Sequence, residues 1–132
     1  MAMLNIFIDT NILIDHTHGK NKILYTLLLD QKQKTIELFI NPVVIAEFLT
    51  DKRLLDKNKL EKALDFLKLF QSVEITTSIG FISGQLLREG RIIVLNDALI
   101  AATCLAHDFK LVTRNKKHFH KIPGLQLYSP GV

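Results

Sequence analysis

Three acidic side chains stand in mostly apolar segments of this 132-residue chain, and carboxylates placed in this way could bind a metal ion. Asp9 directly follows the run 4–8, whose β-branched and apolar residues predict a buried strand that ends at this carboxylate. Residues 12–14 are apolar again, so Asp9 is enclosed on both sides. Burying an unpaired carboxylate is costly, and the sequence therefore predicts a partner for Asp9: a helix N-terminus, a basic side chain or a metal ion.

The other two acids are Glu47 and Asp97. Glu47 is the only charged residue in the apolar segment 43–49, about one and a half turns into a predicted helix. A helical Glu commonly points to solvent or pairs with a lysine, and that interpretation stays open for Glu47. Asp97 follows Asn96, a candidate N-cap, and so falls in a first helical turn, where the helix dipole favours negative charge. Complementing that dipole would by itself be a sufficient role for Asp97.

The elements that must position these acids alternate along the chain in the predicted order β-α-α-β-α-α-β-α-α-β-α-β. The predicted strands cover residues 4–8, 35–40, 73–76, 110–113 and 125–128. The six predicted helices before the fourth strand cover residues 12–16 (a helix or a tight turn), 20–32, 42–49 after the cap Asn41, 60–70 after a cap at Asp56 or Asn58, 77–89 starting at Thr77 or Ser78 and ending before Gly90, and 97–106. The seventh lies between the last two strands. Such alternation predicts a parallel sheet of about five strands with helices on both faces.

This topology brings the three acids together. One acid directly follows a strand, one lies early in a helix and one lies at a helix start, and in a doubly wound sheet these places converge on one edge. Three carboxylates repel one another unless a cation lies between them. Hard oxygen ligands without accompanying cysteines select Mg²⁺ or Mn²⁺.

Composition predicts a single domain over residues 1–132, because 48% of the residues are hydrophobic and no linker or repeat interrupts the chain. The formal charge of +4 suits a nucleic-acid partner and many ordinary proteins alike. The single cysteine, Cys104, excludes an internal disulfide, and its apolar helix predicts a buried core thiol rather than a nucleophile. The sequence carries no signal-peptide pattern and no apolar run long enough for a membrane helix, which predicts a soluble, cytoplasmic protein.

Four motifs in the same order resemble the PIN domain, in particular the VapC toxins of bacterial and archaeal toxin–antitoxin pairs. They comprise residues 7–15 (FIDTNILID), 42–49 (PVVIAEFL), 96–102 (NDALIAA) and the stretch 111–125, which contains LVTRNKKHF and IPGL. The resemblance spans essentially the whole chain. It implies a three-layer α/β/α sandwich around a mostly parallel sheet, and a ribonuclease that depends on Mg²⁺ or Mn²⁺.

The resemblance also implies roles for individual residues. Asp9, Glu47 and Asp97 match the catalytic, metal-binding acids, and Asn115 falls on a fourth acidic position, where it could still contribute a ligand oxygen. Residues expected to support the site are Thr10, Asn11 and Thr113. Residues expected to contact RNA phosphates at the end of a predicted strand, unless they are ordinary surface charge, are Arg114, Lys116 and Lys117. Further implied properties are cleavage of structured RNA such as tRNA or rRNA, a homodimer and an antitoxin that covers the acidic groove.

Three other interpretations remain open. A phosphatase of the haloacid dehalogenase type also places Asp after its first strand, but it needs a second Asp where this chain has Asn11. A non-catalytic RNA-binding module would lack metal-dependent cleavage. A PIN-type nuclease of RNA processing would act outside a toxin pair.

Overall fold

A computed structural model describes residues 3–129, in which five strands form one sheet connected by seven α-helices and one 3-10 helix. The strands are β1 (Leu4–Ile8), β2 (Ile36–Ile40), β3 (Gln71–Ser72), β4 (Lys110–Val112) and β5 (Gln126–Leu127). The helices are α1 (Thr10–Thr17), α2 (Ile23–Lys32), α3 (Pro42–Phe48), α4 (Lys57–Leu67), α5 (Thr77–Arg88), α6 (Leu95–His107) and α7 (Lys116–Phe119), and the 3-10 helix is Lys52–Leu55.

All strand pairs are parallel, and the strand order is β3-β2-β1-β4-β5. The central strand β1 has Ile6, Phe7 and Ile8 fully buried, although neighbouring side chains point to opposite faces. Both faces of the sheet are therefore covered, and the predicted three-layer α/β/α architecture with five strands is confirmed.

The strand order reverses at β1. β2 and β3 lie on one side of β1, and the chain then crosses to the other side of β1, where β4 and β5 lie. Ile8 at the end of β1 pairs with Val112 at the end of β4, so the chain leaves both strands at the same edge. Ligands of open α/β sheets bind at the carboxyl ends of the strands, where the order reverses.

Local signals set several helix ends as predicted. The Asn41 side chain accepts a hydrogen bond from the Val44 N–H (3.1 Å), and Pro42 occupies the first position of α3. Asp56, one of two predicted caps, accepts from the backbone of Asn58 and so caps α4. Gly90 follows α5 with a positive φ of 69°, a conformation that favours glycine at the end of a helix.

The third strand differs from its prediction. It was expected at 73–76, but β3 covers Gln71–Ser72, and the ladder ends with the Val73 N–H donating to the Ile40 carbonyl (2.9 Å). Ile40 is the last residue of β2, since Asn41 already caps α3. Residues beyond 73 therefore have no partner strand to pair with.

Three helices also start elsewhere than predicted, and α4 ends at Leu67 rather than at residue 70. α1 begins at Thr10 because Asp9 acts as its N-cap, two residues before the expected start. α2 begins at Ile23 rather than at residue 20, after a loop in which the Asn21 side chain accepts from the Ile23 N–H. The prediction that Asn96 caps α6 is wrong: α6 begins at Leu95, and its cap residue Val94 makes no side-chain capping bond.

Candidate active site

The end of β1 supplies the most buried acid of the site. Asp9 is 5% exposed, and its carboxylate accepts three hydrogen bonds. The donors are the Thr10 N–H (2.7 Å), the Asn11 side-chain amide (3.2 Å) and the Thr113 hydroxyl (2.7 Å), which comes from the end of β4. All three residues expected to support the site thus contact Asp9, and the Thr113 contact links the ends of β1 and β4 at this edge.

Glu47 lies on α3, and neighbouring elements hold both of its carboxylate oxygens. The Thr10 hydroxyl donates to Oε1 (2.7 Å), and the Asn96 amide donates to Oε2 (3.2 Å). Glu47 therefore neither pairs with a lysine nor simply extends into solvent. It faces the starts of α1 and α6, where the other two acids lie.

Asp97 occupies the first turn of α6 and is partly exposed. Its Oδ2 lies 3.4 Å from Nδ1 of His118, which projects from α7. Burial raises the pKa of Asp97 above its usual range, His118 opposes that rise, and the charge of Glu47 adds to it.

The three acids also interact electrostatically as a group. Burial raises the pKa of Asp9 despite its hydrogen bonds. The negative charges of Asp97 and Glu47 raise the pKa of Asp9 further. The hydrogen bonds show the predicted convergence of the acids directly, because Thr10 contacts both Asp9 and Glu47, and Asn96, which precedes Asp97, contacts Glu47.

The donor chemistry of this group suits a hard divalent cation, which would relieve the repulsion. The carboxylate oxygens do not, however, surround a single point. Within residues 3–129, no three Asp, Glu, His or Cys side chains lie close enough together to hold a metal ion as they stand. Binding one cation would therefore require the acidic side chains to move closer together, and Asp9 and Glu47 can do so while still accepting hydrogen bonds from threonine and asparagine side chains.

The residues after β4 have different surroundings. The Arg114 guanidinium donates to Oδ1 of the buried Asp15 (2.7 Å), and the Arg114 N–H donates to the Asn11 side chain (3.2 Å). The Asn115 N–H donates to the Thr113 hydroxyl (3.0 Å), while its side chain is exposed. The two hydrogen bonds of Arg114 thus connect the 113–115 loop to α1. The roles expected for Arg114 in RNA binding and for Asn115 in metal binding stay predictions.

Two lysines expected to bind RNA lie on α7. The Lys116 ammonium donates to the Ser129 hydroxyl (2.7 Å), and Lys117 lines a cavity that also includes Asp97.

Sequence reasoning did not identify the contact of Asn96 with Glu47, that of His118 with Asp97, or that of Asp15 with Arg114. No local pattern indicates these contacts, because the two residues of each pair are far apart in the sequence. The separations are 49 positions for Asn96 and Glu47, 21 for His118 and Asp97, and 99 for Arg114 and Asp15.

Two cavities flank the acidic group. The larger, of 440 Å³, includes Glu47 and is otherwise lined largely by α4, the 3-10 helix and apolar side chains such as Phe48 and Phe66. The smaller, of 230 Å³, includes Asp97 and lies between the α5–α6 connection and α7. Among the described residues, no helix is long and apolar enough to cross a membrane.

Comparison with known proteins finds the PIN domain family model matching residues 6–125. A protein named Ribonuclease VapC from Rickettsia bellii is 29% identical, with 94% of this chain and 95% of that protein covered. Ribonuclease VapC2 from Rickettsia felis is 32% identical, with 91% and 93% covered. The crystal structure of VapBC2 from Rickettsia felis, bound to a DNA fragment from its promoter, is similar with a TM-score of 0.75, 28% identity and coverage of 95% and 98%. A toxin–antitoxin complex from Klebsiella pneumoniae is similar with a TM-score of 0.66, 29% identity and coverage of 91% and 94%.

Proposed function

Since this chain belongs to the PIN-domain family, we propose that it is a metal-dependent endoribonuclease and the toxin of a toxin–antitoxin pair. The single observation that carries the proposal is the convergence of Asp9, Glu47 and Asp97. They come from three separate elements at the edge of the sheet where the strand order reverses, and hydrogen bonds of Thr10 and Asn96 link these elements. The names of the relatives support the same reaction, hydrolysis of an RNA phosphodiester.

Asp9, Glu47 and Asp97 would hold Mg²⁺ or Mn²⁺, with Asn115 as a further candidate oxygen ligand. When bound, such an ion supplies Lewis acidity toward the phosphate and makes water a nucleophile near neutral pH. The chain's own residues orient the ligands. Thr113 and Asn11 direct the Asp9 carboxylate, and Thr10 and Asn96 direct that of Glu47.

The proposal also includes the class of RNA that is cleaved and a protein partner. We infer that the substrate is structured RNA such as a tRNA or an rRNA loop in the cytoplasm, and that an antitoxin binds the protein and covers the acidic groove. The relatives from Rickettsia felis and Klebsiella pneumoniae were solved as toxin–antitoxin complexes, which supports a protein partner of this kind.

The test is an incubation of purified protein with total cellular RNA in Mg²⁺, in Mn²⁺ and in EDTA. We expect discrete products only with metal, and sequencing of their ends identifies the target. Asp9→Asn, Glu47→Gln and Asp97→Asn should each slow cleavage about 100-fold or more, because each removes a proposed metal ligand.

Glu61→Gln is the matched control, since Glu61 is an exposed acid on α4 and its variant should cleave like the parent. Cleavage that persists in EDTA would contradict the proposed metal dependence. Full activity of a site variant would contradict the proposed role of the residue that it replaces. RNA binding without cleavage under any metal condition would favour the non-catalytic RNA-binding module. Cleavage without an antitoxin gene beside the coding gene would favour an RNA-processing nuclease.

A further inference from the structure

The smaller of the two cavities combines positive charge with apolar surface beside the acidic group. One wall is the α5–α6 connection, which includes Arg91, Ile93 and Val94, and the opposite wall includes Lys117 and Lys121. Asp97 also lines the cavity, so it opens directly onto the proposed catalytic centre. Ile93 is 92% exposed and Val94 is 50% exposed, which leaves apolar side chains facing solvent at this wall.

Most of the cationic side chains on this cavity lack an ion pair within the described residues. Within residues 3–129, neither Lys117 nor Lys121 forms an ion pair, and Arg91 lies no closer than 3.8 Å to its exposed partner Glu89. The larger cavity is also lined by two lysines that form no ion pair within the described residues, Lys59 and Lys62, but its arginine, Arg53, is paired with Asp51 at 2.7 Å. A polyanion passing the acidic group therefore meets unpaired cations on the Asp97 side.

We propose that this cavity is a binding subsite for the RNA strand adjacent to the cleaved bond. Lys117 and Lys121 contact backbone phosphates, and Ile93 and Val94 cover a ribose or base. The proposal rests on the proposed ribonuclease function. It adds to that function a path for one flank of the strand, which passes Asp97 toward α7.

The physical reason is the pattern of charge. A nucleic-acid backbone needs cations spaced along its path, and apolar surface beside them accommodates the sugar and base. The carboxylates at the centre repel a phosphate unless a cation is bound there, so lysines beside them are needed to bring the strand close. An acidic segment of a protein partner could also meet these lysines, and the experiment separates that outcome.

RNA binding is measured by fluorescence anisotropy with a labelled RNA hairpin, in an Asp9→Asn background that does not cleave. Asp9 does not line the cavity. The double variant Lys117→Gln/Lys121→Gln should bind several-fold more weakly than this background. The slope of log K against log salt concentration should fall by about 1.4–1.8 for two lost phosphate contacts. In the otherwise native protein, the same double variant should raise KM for the cleaved RNA more than it lowers kcat.

The matched control removes two lysine charges elsewhere. Lys32 and Lys34 flank the end of α2, at the opposite edge of the sheet, and Lys34 has a positive φ of 63° that asparagine tolerates. Lys32→Gln/Lys34→Asn should leave the salt slope and KM close to the parent values.

The outcomes separate the subsite from the function. If the native protein cleaves RNA but the Lys117/Lys121 variant keeps its KM and salt slope, the subsite is wrong and the function stands. If that variant instead loses affinity only for a protein partner, the cavity binds protein and the subsite is again wrong. If the native protein neither binds nor cleaves RNA, both proposals fail.

Discussion

At the scale of single residues, the acids of the site are held in different ways. Asp9 is buried and receives three hydrogen bonds, whereas Asp97 is partly exposed and, within residues 3–129, has the His118 ring as its only ion-pair partner. Burial nevertheless raises the pKa of both carboxyl groups. The protein thus keeps carboxylates together at a cost in stability, which is expected where a site serves chemistry rather than folding.

Asp97→Asn should stabilise the metal-free protein at neutral pH. Because the pKa of Asp97 is raised in the folded state, the protonated form of Asp97 stabilises the fold. This contribution to the free energy of unfolding is lost as the pH rises through the folded-state pKa. A neutral amide does not suffer this loss. The free energy of unfolding, measured with urea in EDTA, should exceed that of the parent at pH 7 and converge with it below about pH 4.

Asp65→Asn is the control for replacing an acid on a helix, since Asp65 is exposed and, among the described residues, pairs only with Lys68 (3.3 Å). Its stability should stay close to that of the parent at both pH values. A loss of stability in Asp97→Asn at pH 7 would show that the Asp97 carboxylate stabilises the fold.

At the scale of elements, Asn41 connects two of the helices that carry the acids. Its side chain is fully buried, caps α3 through the Val44 N–H, and donates to the Thr103 hydroxyl of α6 (2.9 Å). Glu47 lies on α3 and Asp97 on α6. One amide therefore fixes the relative position of the two elements that bring these carboxylates together.

Asn41→Ala should lower the free energy of unfolding by about 2 kcal/mol, since it removes an N-cap and a buried hydrogen bond. Asn41→Ser, which retains a capping oxygen but is too short to keep the bond to Thr103, should lose less. Asn58→Ala is the control, because Asn58 is exposed and its side chain makes no hydrogen bond within the described residues. Equal stability of the Asn41 and Asn58 variants in urea unfolding would contradict this role.

At the scale of the whole molecule, we expect a homodimer. Phe81 on α5 is 76% exposed, an unusual position for a large aromatic side chain and one that a second copy of the chain could cover. Sedimentation equilibrium should give twice the 15.0 kDa mass of one chain. Phe81→Gln should weaken the association without unfolding the protein, because the side chain contributes little to the core.

A constant mass of 15.0 kDa at every protein concentration would contradict the homodimer. A dimer of unchanged strength in Phe81→Gln would place the interface elsewhere on the surface. Circular dichroism of the variant distinguishes a loss of association from a loss of fold.

The sequence by itself determined the elements and the acids that they carry. The apolar run before Asp9, the Asn41-Pro42 pair and the nearly all-apolar helix after Asp97 each depend on contacts within a few residues or on burial of a whole segment. These patterns were sufficient to predict a parallel sheet and the convergence of three carboxylates at its edge. They also predicted that Cys104 is buried, which is confirmed at 1% exposure.

Only the tertiary structure decided which side chains those acids contact. Asn96 was predicted as a cap from its neighbours, but it binds Glu47, 49 positions earlier, because α3 and α6 pack side by side. Arg114 meets Asp15 across 99 positions, and β3 ends where its partner strand ends. Such contacts depend on how distant segments are placed next to one another, and local periodicity carries no information about that placement.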